Sequence, residues 1–313
     1  MDSTRQIPVI VVHKGNQKYL KNCILCAKQH GNDIILIGNE KNRKMCDKWI
    51  SAAECDSELF VEFEQNYVHM SSNSEFFELI CFQRYFYVYQ YMLTHQLEEC
   101  VMIDSDALVF EKVTGALIPE GTQMASCWYE KQKEYQWSVC PHFTYWTKDG
   151  LLDFLYFCID AYKDDEKRKP LEEKYKFHQD NHSAGGICDM TLLYLWMKQT
   201  HLPVENFSKR TERVVDYNIN EPRIDTVSYE MWNRYGMKRI VFEQGVPHFV
   251  RAEDGKKVPV IMIHAWGGSK KFMGILKDER ESVFWYDWAR TTAWIAKRVQ
   301  KLLSLITMKV QNS

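Results

Sequence analysis

The sequence predicts an α/β fold: a mostly parallel, Rossmann-like central sheet with helices on both faces. Two observations predict it. Short apolar runs rich in β-branched residues alternate with longer stretches of helical periodicity. That alternation is the signature of strands joined by crossover helices. The chain has 313 residues, 45% of them hydrophobic, enough for a real core in one large domain or two small ones.

Each element follows in order. Residues 7–13 read as a first buried strand, about 17–29 as a helix, and 33–37 as a second strand ended by Gly38-Asn39. Residues 59–63 read as a third strand. Residues 74–95 read as a long helix, because Phe76, Phe77, Leu79, Ile80, Tyr87, Val88, Tyr91 and Met92 recur at helical spacing. The run 100–103 is a buried strand, and residues 107–110 are again apolar. Residues 123–128 read as a strand and 148–162 as a helix with Leu151, Leu152, Leu155, Cys158 and Ile159 on its apolar side. The mixed charges of 163–169 read as a solvated loop. Residues 189–198 read as a helix with Asp189 at its N-cap. A late strand, 258–263, ends at His264, and 281–308 form a long amphipathic helix. No repeat, low-complexity tract or flexible linker interrupts the chain, so residues 1–280 are expected to form one compact unit.

Composition excludes some classes. Formal net charge is -2, so there is no basic field for a nucleic-acid partner. No run approaches the roughly 18 apolar residues of a membrane span. The start of the chain carries no secretory signal, so a cytoplasmic protein is expected, with its ten cysteines reduced in the core. Cys23 and Cys26 form a lone CxxC without a second pair, which does not make a zinc site. The sequons at Asn181 and Asn206 carry no meaning in that compartment.

The most informative stretch is Asp104-Ser105-Asp106, directly after the buried run 100–103. Carboxylates at i and i+2 of an extended chain point the same way. Two unpaired anions at the end of a buried strand are costly, so a cation is expected between them. Hard oxygen ligands suit Mg²⁺ or Mn²⁺. A second strand end adds His264-Ala265-Trp266-Gly267-Gly268-Ser269-Lys270. The imidazole is a good third metal ligand, the glycines let backbone amides approach a phosphate, and Lys270 offers it a cation. In open α/β sheets, ligands bind beyond the carboxyl ends of the strands. Asp104, Asp106, His13 and Asn39 all lie at such ends.

On these residues the chain resembles the glycosyltransferases of the GT-A fold. Asp104-Ser105-Asp106 looks like their DxD motif. His264-x-x-Gly267-x-x-Lys270 looks like the HxxGxxK motif of family 8, the glycogenin and lipopolysaccharide galactosyltransferase-like enzymes. Gln83-Arg84-Tyr85-Phe86 resembles that family's Arg-containing helix, and Gly185-Gly186 followed by Asp189-Met190-Thr191 resembles its helix start at the sugar. The likeness spans residues 7 to 275. The chain departs from the family at His13-Lys14-Gly15-Asn16, at Met190-Thr191 and at Lys271-Phe272.

The resemblance implies a GT-A catalytic domain over residues 1–280. It implies a metal-dependent transfer from a nucleotide-diphosphate sugar (UDP- or GDP-linked) to a carbohydrate or other hydroxyl acceptor. Asp104, Asp106 and His264 would hold Mn²⁺ or Mg²⁺. His13, Asn39, Arg84, Asp104, Ser105, Gly186, Gly267, Gly268 and Lys270 would contact the donor. Asp189 and Lys270 would be the catalytic pair, Lys270 stabilising the leaving phosphate and Asp189 lying beside the sugar. Retention of anomeric configuration is implied, with inversion on the same fold as the alternative. A non-catalytic nucleotide-sugar or glycan binding module and a haloacid dehalogenase-type phosphatase are the readings from other classes. Structural roles stay open too: Arg84 paired with Glu75 or Glu78, Asp189 as a cap only, His264 as a satisfied strand-end histidine.

In the tail 281–313, Trp285, Trp288, Thr292, Ile295, Val299, Leu302, Leu303 and Ile306 form an apolar stripe, with Arg290, Lys297, Arg298, Lys301 and Lys309 adding positive charge. The stripe packs on the domain or lies on an anionic membrane surface, making the enzyme cytoplasmic or peripherally membrane-bound.

Overall fold

The computed structural model describes residues 4–280 and 282–311, with side chains through residue 300. It is a mixed α/β structure around a mostly parallel central sheet, as the alternation of elements predicts. The first half runs β1 (Val9–His13), α1 (Lys18–Gln29), β2 (Ile34–Gly38), β3 (Trp49–Ser51), α2 (Glu58–Asn66), α3 (Glu75–Thr94), β4 (Glu99–Ile103) and β5 (Ala107–Val109). Then come β6 (Met124–Cys127), β7 (Cys140–Thr147), α4 (Lys148–Lys163), α5 (Asp165–Asp180), α6 (Asp189–Gln199) and β8 (Val204–Asn206). Short hairpins follow, then the strands Ile240–Glu243, Val246–Val250 and Lys257–His264, and the helices α7 (Met273–Lys277) and α8 (Val283–Gln311).

The seven-stranded sheet has the order β3-β2-β1-β4-β7-β6-β8. β1, β2, β3 and β4 run parallel, so His13, Gly38, Ser51 and Ile103 end along one edge. β7 runs antiparallel to β4 and begins at that same edge, with Ile103 opposite Phe143. A second sheet places Lys257–His264 antiparallel to β5, with His264 opposite Ala107. Side chains of β1 and β4 alternate between two cores. Val9, Val11, Val101 and Ile103 pack with α1, α7 and the second sheet. Ile10, Cys100 and Met102 pack with the aromatic cluster of α2, α3 and α4.

Three expectations are corrected. Residues 59–63 are helical, inside α2, because the Ser57 hydroxyl caps the Phe60 N–H and Phe60 and Phe63 bury at i, i+3. The third strand of the sheet is β3 instead. The charged run 163–169 opens α5. Asp164 caps Glu166 and Lys167 N–H, and Arg168 pairs with Asp165 and Glu172 at helical spacing. Asp189 is the first helical residue of α6, and Cys188 holds the cap position without a side-chain hydrogen bond. The α3 expectation holds, with Ser74 capping Phe77 N–H. All ten cysteines are free thiols. Among the described residues no helix is long and apolar enough to cross a membrane. In the tail, Tyr286 packs on Trp232, Tyr235 and Phe272, whereas Trp288, Ile295 and Val299 are exposed, so the expectation that the stripe packs on the domain is corrected for these three. The side chains of Lys301, Leu302, Leu303, Ile306 and Lys309 lie outside the described ones.

Candidate metal and diphosphate site

Two sheets deliver the site. β4 ends at Ile103, and the chain turns through Asp104-Ser105-Asp106 with Ala107 N–H donating to the Asp104 carbonyl at 3.0 Å. β5 then pairs with Lys257–His264, and Ala265 N–H donates to the Asp106 carbonyl at 2.9 Å. This pairing brings residues 158 positions apart in sequence together: His264 Nε2 lies 3.5 Å from Asp106 Oδ1. One ligand atom each from Asp104, Asp106 and His264 fall within 4.8 Å of one another.

His264 is held from behind. Its Nδ1 lies 2.9 Å from the Tyr217 carbonyl, and its backbone N–H donates to Asp216 Oδ2 at 3.2 Å. Asp216 in turn forms a fully buried ion pair with Lys238 at 2.9 Å, and Lys238 also donates to the Asn218 carbonyl. A ring nitrogen bonded to a carbonyl leaves the other nitrogen aimed at the site, which is the usual outer-shell arrangement of a metal-binding histidine. Burial disfavours the imidazolium, but its hydrogen bonds to Asp106 and Cys140 outweigh it and raise His264 well above the ordinary histidine range. Burial likewise pushes Asp106 up, yet His264 and Lys270 together hold it below the usual carboxylate range. The donor set of two carboxylates and one imidazole fits Mn²⁺ or Mg²⁺, which would take the place of the shared proton.

Lys270 Nζ lies 2.9 Å from Asp106 Oδ2 and 4.8 Å from the centre of the Tyr19 ring. Arg84 bridges two carboxylates. Its Nη1 is 2.5 Å from Asp104 Oδ1, its Nη2 contacts Asp189 Oδ2, and its Nε is buried without a hydrogen-bond partner. Tyr85 donates to the same Asp189 oxygen at 3.2 Å, and Met190 N–H donates to Asp189 Oδ1 at 2.9 Å. Arg84 is therefore not a helix-surface partner of Glu75 or Glu78. Glu78 instead accepts from Ser71 and Asn73.

Asp104, Asp106, Arg84 and Lys270 stand between two adjoining cavities. One, of about 400 Å³, lies over the end of β1 and is lined by His13, Lys14, Gln17, Tyr19, Ser105 and Tyr87. The other, of about 610 Å³, is lined by Asp189, Met190, Tyr217, Asn218, Pro141 and the exposed Trp266.

The structure thus brings together Asp104, Ser105, Asp106, His264, Lys270, Arg84, Asp189 and His13. It does not bring the remaining sequence candidates to the cleft. Asn39 accepts from Gly15 N–H at 3.2 Å and braces the turn after β1. Gly186, at φ +147°, lets its backbone pass against Met70 and Ser71, where an added Cβ would meet the Met70 carbonyl at 2.3 Å. Gly267 and Gly268 line a separate space beside α8.

Sequence reasoning left several residues unassigned. Cys140 and His142 sit at the start of β7, and the His142 ring stacks on His264 at 4.4 Å. Burial lowers the His142 pKa well below the ordinary value, its Nε2 is buried without a partner, and Cys140 Sγ contacts its Nδ1. Cys140, His142 and His264 form a second group able to ligate a metal. A Cys-x-His spacing in the sequence is the one signal for it, and strand pairing supplies the rest. Lys14, Tyr217, Asn218 and the Lys238–Asp216 pair had no local signal.

No protein-family model matches the chain, and no curated protein matches it. Solved structures do. The apo form of mouse xyloside xylosyltransferase 1 aligns over 67% of this chain and 88% of its own, with 7% identity and a TM-score of 0.42. A glycosyltransferase involved in glycosylation of the major capsid of PBCV-1 aligns over 87% of this chain and 98% of its own, with 10% identity and a TM-score of 0.39. At these values neither likeness assigns a reaction to this chain.

Proposed function

We propose that this chain is a GT-A-type glycosyltransferase that moves a sugar from a nucleotide-diphosphate donor to a hydroxyl acceptor. The observation that carries the reading is the convergence of Asp104, Asp106 and His264 from two sheets between two cavities. The smaller cavity, over the end of β1, suits the nucleoside. The larger one, with Asp189 and Trp266 in its lining, suits the transferred sugar and its acceptor.

Mn²⁺ or Mg²⁺ held by Asp104, Asp106 and His264 would supply Lewis-acid stabilisation of the leaving diphosphate. The chain's own residues do the rest. Lys270 adds a fixed cation where phosphate charge grows as the glycosidic bond breaks, which lowers the barrier and not only KM. Arg84 ties Asp104 to Asp189, so the metal ligands and the carboxylate beside the sugar keep a fixed separation. Asp189, paired with Arg84, orients the donor and favours positive charge at the anomeric carbon.

Retention of configuration fits this arrangement better than inversion. Inversion needs a carboxylate free to take the acceptor proton. The acids lining the larger cavity are all engaged: Asp104 and Asp189 by Arg84, Asp106 by Lys270, and Glu78 by Ser71 and Asn73.

The test is release of free nucleoside diphosphate from a panel of UDP- and GDP-sugars with Mn²⁺ and simple glycoside acceptors. Metal-dependent release from one donor supports the proposal. Donor binding without release would make the chain a binding module. Phosphate release from p-nitrophenyl phosphate with labelling of Asp104 would make it a phosphatase.

A further inference from the structure

His264 stands where two ligand sets of different character meet. On one side are the carboxylates of Asp104 and Asp106, on the other the thiol of Cys140 and the ring of His142. One ligand atom each from Cys140, His142 and His264 fall within 4.8 Å of one another, and the three residues are 5%, 0% and 6% exposed. Of the ten thiols, Cys140 is the one that stands in such a group among the described residues.

Backbone holds this second set in place. Cys140 and His142 open β7, two residues apart. The Cys140 carbonyl accepts from Ser126 Oγ at 2.5 Å, and the His142 carbonyl accepts from Asp104 N–H at 3.0 Å. The His142 ring lies parallel to His264, Cys140 Sγ contacts its Nδ1, and its Nε2 is buried without a partner. A fully buried imidazole with an unpaired nitrogen lacks what such rings ordinarily have, and a metal ion supplies it. The ligand atoms of a tetrahedral Zn²⁺ stand about 3.5 Å apart, from bonds of about 2.0–2.3 Å, so small side-chain rotations seat the ion. Thiolate and imidazole suit Zn²⁺, whereas carboxylates suit Mn²⁺ and Mg²⁺. Cys140 and His264 line the larger cavity, which gives the ion an entry path and an open fourth position.

His264 has one nitrogen to give. Its Nδ1 is held on the Tyr217 carbonyl at 2.9 Å, which leaves Nε2, 3.5 Å from Asp106 Oδ1. That nitrogen serves one ion at a time.

We propose that Cys140, His142 and His264 form a second, soft metal site for Zn²⁺, and that filling it withdraws His264 from Asp104 and Asp106, so that Zn²⁺ and the hard cation exclude each other. On binding, Zn²⁺ replaces the Cys140 thiol proton, which passes to solvent, and the thiolate and two neutral imidazoles donate lone pairs. The exclusion rests on the proposed metal role of Asp104, Asp106 and His264, but the soft site does not.

The test uses Co²⁺ as a coloured stand-in for Zn²⁺ on the full, reduced chain, followed by Zn²⁺. Co²⁺ should raise the near-ultraviolet charge-transfer band of a cobalt–thiolate bond, and Zn²⁺ should bleach it. Cys140→Ser should abolish the band. His142→Gln should weaken Co²⁺ affinity by about 10- to 100-fold, with the melting temperature of both variants confirming that they fold. Asp106→Asn should keep the band. Calorimetric Mn²⁺ affinity should fall at least about tenfold when Zn²⁺ is bound to the parent, and much less in Cys140→Ser. No thiolate band, or a band that survives Cys140→Ser, would overturn the soft site. A Mn²⁺ affinity unchanged by Zn²⁺, or lowered equally in Cys140→Ser, would overturn the exclusion. No Mn²⁺ binding to the parent at all would overturn the exclusion together with the proposed reaction's metal, while the cobalt band supports the soft site by itself.

Discussion

Lys270 Nζ lies 2.9 Å from Asp106 Oδ2, although the two residues arrive from different sheets. The ion pair places a fixed cation beside a carboxylate that is also a metal-ligand candidate. It follows that Lys270 is not needed to assemble the metal site and competes with the metal for one oxygen. In Lys270→Met, turnover is expected to fall by about 10²- to 10³-fold, as when a single charge-stabilising donor is removed from an active site. Mn²⁺ affinity, read by calorimetry, should hold or rise. A variant with full turnover would remove Lys270 from the chemistry, and weaker metal binding would make it a structural support.

Arg84 lies between Asp104 and Asp189, and the three are mutually dependent. Arg84→Met would leave the buried Asp189 and the half-buried Asp104 without their counter-ion, at an expected cost of about 3 kcal/mol in denaturant unfolding. Adding Asp189→Asn removes one of those charges and should recover part of the loss. Additive effects of the two substitutions would show that the bridge does not form in solution.

Gly186 separates a packing role from a binding one. Its φ of +147° and the Met70 carbonyl 2.3 Å from a built Cβ make any side chain there strained. Gly186→Ala should cost about 2 kcal/mol or more of stability. Nucleoside-diphosphate affinity of the folded fraction should stay unchanged. Lost affinity at full stability would return Gly186 to the donor site.

Lys174 gives a pH signature. It is buried against Thr191 Oγ1 at 2.7 Å, and burial lowers its pKa to about 8. The unfolded chain keeps the ordinary value of about 10.4, so between the two values the unfolded state binds more protons. The burial cost is present in full below pH 8 and is relieved as pH rises toward 10. The expected result is a stability difference between the parent and Lys174→Met that favours the variant most at neutral pH and shrinks across that window. A difference independent of pH would show that Lys174 titrates normally.

Much of the frame was legible because local signals agree with the fold. β1, β2 and β4 are apolar runs, and α3 carries both its period and its Ser74 cap. The Asp104-Ser105-Asp106 turn and the His264 strand end were legible for the same reason. Leu59 to Phe63 misled because a short apolar run does not distinguish strand from helix, and the Ser57 cap decides it. α5 was hidden by its charge, which i, i+3 and i, i+4 pairs turn into helix support. What sequence does not reach is tertiary. Tyr217 behind His264 is 47 residues away, Lys238 reaches Asp216 across 22, and the tie between Arg84 and Asp189 spans 105. Family-like spacing also named glycines that lie away from the two cavities: Gly186 bridges to Ser71, and Gly267 and Gly268 line a separate space beside α8.

The central claim is that Asp104, Asp106 and His264 hold a divalent ion that grips a nucleoside diphosphate. Calorimetric titration of UDP, and separately GDP, into the full chain with and without Mn²⁺ tests it most directly. One of the two should bind with Mn²⁺ and lose about 100-fold or more in affinity with EDTA or in Asp106→Asn, while the variant keeps its melting temperature. Equal affinity with and without metal, or in Asp106→Asn, would contradict the account.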